Sequence, residues 1–379
     1  MSKQEFTNTL YTNDNLFILN GLNSNLVDLI YLDPPFNSKR FYSAPIGSKA
    51  AGTSFKDMWT WKDVDEEYLN TLAENYPALT DFIASIGVIH SKAMMAYLTY
   101  MAQRIVEMHR VLKDTGSIYL HCDPTASHYL KAVLDEIFGR DNFRNEIIWH
   151  YRRWTATSNK FQKMHDVILF YSKSPIITFN KTFIEPTEGQ KIKHIKGWDR
   201  NSVMIDGKRQ PQLLIYNKEK VEVAIKEGKI NLSEYAKTHE VDNTKTIAPD
   251  VWEIDYLNSQ SKERTGYPTQ KPLALLHRII KASSNEGDIV MDPFCGCATT
   301  CVAAQQLGRK WIGIDIETQA VDILVERLSD DAGMFKDFVN TNKVPVRTDL
   351  QIIDSKEQSV KERLYKAQNC LCNGCGNKF

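Results

Sequence analysis

The run Val27-Asp28-Leu29-Ile30-Tyr31-Leu32 is apolar and β-branched for most of its length, then stops against Asp33-Pro34-Pro35-Phe36. A run of that kind without a breaker reads as a buried strand. Two consecutive prolines fix φ and lack their own N–H donors, so the ladder ends and nearby carbonyls are left to point elsewhere. Asp33 therefore stands at the carboxyl end of a strand, where open α/β sheets bind their ligands. Phe36 follows within reach and can lie flat against a planar ring. A planar substrate carrying an amino group fits such a set. The plainer reading is a proline-terminated strand whose Asp caps a turn.

The rest of the chain alternates strands with helices. A short strand is expected near Leu16–Leu19. Met94, Met95, Leu98, Met101, Ile105, Met108 and Leu112 recur at three- and four-residue steps and predict a helix over 91–113, ended by Thr115-Gly116. Further strands are expected at Ser117–Leu120, Glu146–Trp149 and Val167–Tyr171, with a helix at Tyr129–Phe138. Residues 46–90 are less periodic and read as a partly mobile insertion. From about 180 to 265, lysines and glutamates alternate and strands are hard to place. Periodicity resumes with a helix at Leu273–Ser283, a strand at Ile289–Met291, a helix at Thr299–Leu307 and a strand at Trp311–Ile314. Such alternation on both sides of an insertion predicts an α/β fold, one doubly wound sheet interrupted by a second domain.

Charge and cysteine usage narrow the class. Lys+Arg 47 balance Asp+Glu 47, which argues against a polycationic binder but leaves room for a basic groove offset elsewhere. No run approaches the roughly 18 apolar residues of a membrane helix, and the first twenty residues hold no charged-then-apolar leader. A cytoplasmic protein with no membrane contact is expected. The seven cysteines are odd in number and clustered, unlike a secreted disulfide framework. Cys372-x-x-Cys375 has the spacing of half a zinc site, but four ligands normally close one, so no metal is assigned.

A second constellation, Asp292-Pro293-Phe294-Cys295-Gly296-Cys297-Ala298-Thr299-Thr300, follows a strand and opens a helix. Small residues at 295–298 permit close backbone approach to a ligand at a helix N-terminus. Asp315 ends the next strand, where an acidic side chain can bind a ribose diol. The logic is that of a nucleotide-binding strand–loop–helix, although the spacing is not Gly-x-Gly-x-x-Gly. A small-residue turn that serves helix packing is the plainer alternative.

Asp-Pro-Pro-Phe after one strand and Asp-Pro-Phe-x-Gly-x-Ala-Thr-Thr after a later one resemble the permuted, β-class DNA amino-methyltransferases that use S-adenosylmethionine. Tyr267-Pro268-Thr269-Gln270-Lys271-Pro272, His121-Cys122-Asp123, Asn145–Trp149 and His165-Asp166 resemble further blocks of that family. The resemblance implies a seven-stranded, mostly parallel methyltransferase sheet with an inserted target-recognition domain. It divides the chain into a catalytic part at 1–178, the recognition insertion at 179–265, a cofactor part at 266–330 and an extension at 331–379. It implies methylation of the N6 amine of a flipped-out adenine in double-stranded DNA, with no metal needed for catalysis. N4-cytosine methylation and a non-catalytic DNA-binding relative are the alternatives; Asp33 favours adenine, since N4 enzymes of the family more often carry Ser there.

By the same resemblance, Asp33 and the Pro34 carbonyl accept from the target amine, Pro35 completes the element and Phe36 stacks on the base. Asp292 lies near the methionine amino group, with Phe294, Gly296, Ala298 and Thr299 along the loop. Asp315 holds the ribose, Thr269 and Lys271 approach the methionine carboxylate, Asp14 contacts the adenine moiety, and Asp33 also borders the cofactor. Arg152, Arg153, Lys160 and Lys163, beside Trp154, combine positive charge with an aromatic and are candidate DNA contacts; a solvated patch is the alternative. A homodimer and a separately encoded cognate endonuclease are further expected partners.

Overall fold

The computed structural model describes residues 8–36, 40–45, 47–48, 50, 54–152, 159, 161–186, 188–241, 246–258, 260–317, 319–330 and 339–347. Among these, nine strands form one sheet: β1 (Thr9–Thr12), β2 (Val27–Leu32), β3 (Leu112–Cys122), β4 (Phe143–His150), β5 (His165–Ser172), β6 (Val251–Glu253), β7 (Ile289–Asp292), β8 (Lys310–Asp315) and β9 (Val339–Thr341). They lie in the order β6-β4-β5-β3-β2-β7-β8-β1-β9. β5 runs antiparallel to both neighbours, and the other pairings are parallel. The sheet exceeds the expected seven strands by its two edges. β6 and β9 are three residues each, too short for alternation to register in a sequence.

The side chains of β2 alternate between two cores, as the period of a strand requires. Ile30 and Leu32 pack with Met94, Leu98, Met101 and Ile105, the buried face of the helix Lys92–Val111. Leu29 and Tyr31 pack with Leu275, Leu276, Ile279 and Ile280 of the helix Leu273–Ser283. Both faces of the sheet are covered, so the doubly wound reading holds.

Two stretches differ from expectation. Leu16–Leu19 is helical, within α1 (Asn15–Gly21), and the first strand is Thr9–Thr12. Four apolar residues in a row fit either structure; what decides is Asp14, whose carboxylate accepts from the Leu16 N–H at 2.8 Å and caps the helix. Within 46–90, two helices form, α2 (Glu66–Asn75) and α3 (Pro77–Ile89), rather than an irregular insertion. Asp65 caps α2, Pro77 opens α3, and Leu72, Leu79, Ile83 and Ile86 join the core under α4 (Lys92–Val111). Exposed Val88 and Ile89 blur the apolar period of α3 in the sequence.

The chain divides into two units, one of residues 1–180 with 250–379 and one of Lys181–Pro249. The boundary falls at Pro249 rather than at 265, because Val251–Glu253 pairs with β4 and belongs to the large sheet. The smaller unit is built on an antiparallel ribbon, Trp198–Ile205 with Lys208–Ile215, turned at Asp206-Gly207 with φ of 49° and 72°. Lys237–Glu240 adds a parallel third strand, and Trp198, Leu213, Val221, Ala224 and Ile230 form its core. Cys370, Cys372 and Cys375 lie outside the described residues.

Candidate active site

Four neighbouring parallel strands, β2, β7, β8 and β1, deliver an aspartate each at or just past their carboxyl ends: Asp33, Asp292, Asp315 and Asp14. The register Val290↔Leu29 and Met291↔Ile30 sets the ends of β2 and β7 side by side, although their residues are far apart in the chain. A cavity of about 770 Å³ opens at these ends. That volume falls in the range of small-molecule and cofactor sites. All four aspartates face it, as do Pro34, Pro35, Phe36, Thr269, Lys271, Phe294, Gly296 and Thr299. Ala298 does not line the wall; it is buried beneath the loop.

Asp33 sits in a mixed electrostatic setting. Its Oδ2 accepts from the Lys271 ammonium in a short contact, and Lys271 is itself buried. Its Oδ1 is buried and has no hydrogen-bond partner among the described residues. The Lys271 Nζ also lies 5.6 Å from the centre of the Phe36 ring and 3.3 Å from the Thr269 carbonyl. The loop that carries it is pinned by Gln270, whose side chain accepts from the Thr265 N–H at 2.8 Å and donates to the Glu263 carbonyl at 2.7 Å. Thr269 takes a φ of 65° in this loop. Behind Asp33, Tyr31 and His121 are fully buried and hydrogen-bonded to each other at 2.9 Å.

The other half of the cavity is acidic. Asp292 is 3% exposed and accepts from the Phe294 N–H at 3.0 Å and from the Thr300 hydroxyl. Burial pushes its carboxyl up to about 7, with those two hydrogen bonds pulling the other way. Asp315 accepts from the Gly296 N–H at 2.7 Å and the Glu317 N–H at 2.9 Å, and burial raises it to about 6. Gly296 has a φ of 50°, and a Cβ there would come within 3.1 Å of the Tyr267 ring. α5 (Ser127–Leu134) and α6 (Leu273–Ser283) are followed by α7 (Thr299–Gln306), whose N-cap is Ala298 in the left-handed region at φ 56°. Burial also pushes the Cys297 thiol up, and contact with Cys301 together with burial does so for Cys295, opposite to the setting of a nucleophile.

Several residues of the site were not singled out from the sequence. Arg104 of α4 is 3% exposed; it forks onto Asp14 at 3.0 and 3.1 Å and also donates to Asn15. Asn15 in turn donates to the Pro293 carbonyl at 2.8 Å, tying α1 to the loop after β7. Asp14 is therefore both a cap and an ion-pair partner at the cavity edge. Trp59 and Tyr100 face the cavity with ring centres 4.1 Å apart, and the Trp59 indole N–H is buried without a partner among the described residues. The aromatic richness of residues 46–90 hinted at Trp59, and nothing in the helical pattern of 91–113 marked Tyr100. Of the candidate DNA contacts, Arg153 and Lys160 lie outside the described residues. Arg152 is exposed, and Lys163 lies 3.3 Å from Asp123 and 3.7 Å from Asp166; neither lines the cavity.

A doubly wound sheet with an acidic cleft at its carboxyl edge defines a ligand-binding α/β protein of the nucleotide- and cofactor-binding kind. The N6/N4 family described as DNA methylase matches residues 27–326. The Type II methyltransferase M.EcaI of Enterobacter cloacae is 30% identical over 369 residues, covering 88% of this chain and 72% of its own length. The DNA adenine methyltransferase YhdJ of Escherichia coli K12 is 29% identical and covers 64% of this chain and 70% of its own. Among solved structures, a DNA modification methylase of Thermus thermophilus aligns with a TM-score of 0.44 at 16% identity, over 88% of this chain and 99% of that one. The chain belongs to the N6/N4 DNA methylase family.

Proposed function

We propose that this protein transfers a methyl group from S-adenosylmethionine to the N6 amine of an adenine turned out of duplex DNA. The observation that carries this reading is Asp33, which lines the cavity beside Phe36 at the end of a strand and keeps one buried oxygen, Oδ1, without a partner among the described residues. An exocyclic amine supplies the missing donor. Its lone pair is delocalised into the ring, so acceptors for both N–H bonds favour the pyramidal nitrogen of the transition state. Asp33 and the Pro34 carbonyl are assigned that role, with Phe36 against the ring. The base must leave the stack first, because its amine is otherwise paired inside the helix.

The donor set fits the cofactor. A fully buried carboxylate raised to about 7 calls for a cation, and the methionine ammonium beside Asp292 provides one. Asp315 is assigned to the ribose hydroxyls, with Gly296 allowing close approach. Phe294 and Thr299 border the loop and Ala298 supports it from below, while Asp14 stands at the adenine end. Thr269 and Lys271 are assigned to the carboxylate, Lys271 reaching from its contact with Asp33. When bound, the cofactor supplies a methyl group on a positively charged sulfur. The protein's contribution is orientation and the exclusion of water.

The smaller unit is assigned to target recognition, with its two-stranded ribbon of a size that enters a major groove. Arg152, Arg153, Lys160 and Lys163 are assigned to phosphate contacts. The reading extends to a homodimer, checked by sedimentation, and to a separately encoded endonuclease whose cleavage this methylation blocks. Asp33→Ala is expected to abolish methyl transfer to DNA while cofactor binding by calorimetry persists; full activity in a folded variant overturns the assignment. Nucleoside digestion of methylated DNA should release N6-methyladenine, and recovery of N4-methylcytosine alone would replace adenine as the target.

A further inference from the structure

His121, next to last in β3, is fully buried, yet its imidazole reaches two carboxylates. Nδ1 lies 2.9 Å from the Tyr31 hydroxyl and 3.9 Å from Asp33 Oδ1. Nε2 lies 3.5 Å from Asp166 Oδ2 and makes no hydrogen bond among the described residues. Rings clamp it in place: Phe36 at 5.7 Å between centres and Trp149 edge-on at 5.5 Å. The charged neighbours are few. Lys271 holds the far oxygen of Asp33, and Lys163 lies 3.7 Å from Asp166 and 3.3 Å from Asp123. Cys122, beside His121 in β3, is a buried thiol that burial keeps protonated.

The tautomer follows from these partners. A bare Nε2 facing Asp166 would set lone pair against lone pair, so the proton sits on Nε2 and Nδ1 accepts from Tyr31. Burial holds the Tyr31 phenol well above its ordinary range, so it stays protonated and donates. Burial alone would raise Asp166, but His121, Lys271 and Lys163 more than offset it and hold its carboxyl well below the usual range. The lone pair of Nδ1 is thus held by the Tyr31 hydroxyl, Asp33 Oδ1 stands 3.9 Å from the same nitrogen, and a permanent negative charge stands behind the ring.

We infer that Asp33, His121 and Asp166 form a line that removes and holds the proton released when the target amine is methylated, an inference that rests on the function proposed above. As the new N–CH3 bond forms, the methyl leaves sulfur with the electron pair remaining there, and the nitrogen becomes positive. An N–H bond then breaks and the proton passes to Asp33 Oδ1. From there it moves to His121 Nδ1, with the Tyr31 hydroxyl yielding its place. The imidazolium keeps its Nε2–H towards Asp166, which stays ionised. This sequence restores the charge of Asp33 and with it the ion pair that its Oδ2 makes with the buried Lys271 ammonium. His121 and Asp166 act through Asp33 and are positioning residues.

The test uses His121→Gln and Asp166→Asn in single-turnover methylation of DNA with cofactor preloaded, across pH. Preloading keeps the titration of Asp292 out of the rate. The unmodified enzyme should slow as falling pH fills the proton acceptor before turnover. H121Q should be slower by about 100-fold, the lower end for lost acid–base catalysis, with that limb gone and the KM for cofactor unchanged. D166N should keep the limb but move it to lower pH, since a carboxylate no longer favours the imidazolium. Nitrogen-15 spectra of the histidine-labelled protein, free of cofactor, should give His121 as the Nε2–H tautomer, with its titration lowered in D166N. An H121Q rate within twofold of the unmodified enzyme, a limb unmoved in D166N, or an Nδ1–H tautomer each overturns the inference. Should H121Q fail to fold, the D166N limb and the spectra decide. If the unmodified protein methylates no adenine at all, the proposed function fails instead.

Discussion

Asp292 is a carboxyl group that the fold holds near neutrality, and its protonation couples stability to pH. Its folded value of about 7 lies above the roughly 3.9 of an unfolded aspartate, so the native state binds more protons between those values. The contribution is complete below about pH 4 and is lost as pH rises through 7. Asp292→Asn should therefore raise the thermal midpoint relative to the unmodified protein at pH 8, and less so at pH 5. It should also weaken cofactor binding by tenfold or more, and a stability difference independent of pH would contradict the burial argument. Ala298 makes a second residue-level case. It holds a φ of 56° that costs an L-residue on the order of 1 kcal/mol, at an N-cap position where alanine is among the poorest choices. Ala298→Gly should stabilise the fold by about 0.5–1 kcal/mol, read as a higher denaturation midpoint, because glycine's own entropic cost offsets part of the relief.

Among elements, the hinge of the site is the contact between α1 and α4. Arg104 reaches from α4 to the cap of α1, and α1 reaches through Asn15 to the loop after β7. Arg104→Leu would leave Asp14 and Asn15 facing a hydrophobic side chain. It should cost about 1–3 kcal/mol in chemical denaturation, since Arg104 is buried while Asp14 is a third exposed, and should weaken cofactor binding. A loss below about 0.5 kcal/mol, the scale of an exposed pair, would mean that Asp14 is satisfied by water. This contact also marks the limit of what the sequence discloses. The strand ends at Asp33 and Asp292 are legible because proline and glycine act on the backbone wherever they stand. Arg104 is not, since an arginine on a helix carries no mark of burial until the opposing helix is placed. α1 is misread as a strand for a related reason: its apolar run has no period, and only the capping geometry of Asp14 separates the two. The Asp33–Lys271 contact joins the two chain segments of the large unit, 238 residues apart, which no local pattern encodes.

At the scale of the molecule, the cavity-lining residues among those described all belong to the large unit. Replacing 181–249 by a flexible Gly/Ser linker should preserve cofactor affinity while abolishing selective methylation of duplex DNA. Loss of both would show that the large unit does not stand alone. The same arrangement bears on how the enzyme could be controlled. Asp33 and Asp292 are neighbours because β2 pairs with β7, not because the chain joins them by any short path. Cutting the chain inside 181–249 would place the two strands on separate polypeptides, each with half of the cavity wall and neither with a complete one. Activity would then depend on the concentrations of two gene products, and a pair of inert fragments could serve as a recorder of their encounter, written in modified bases.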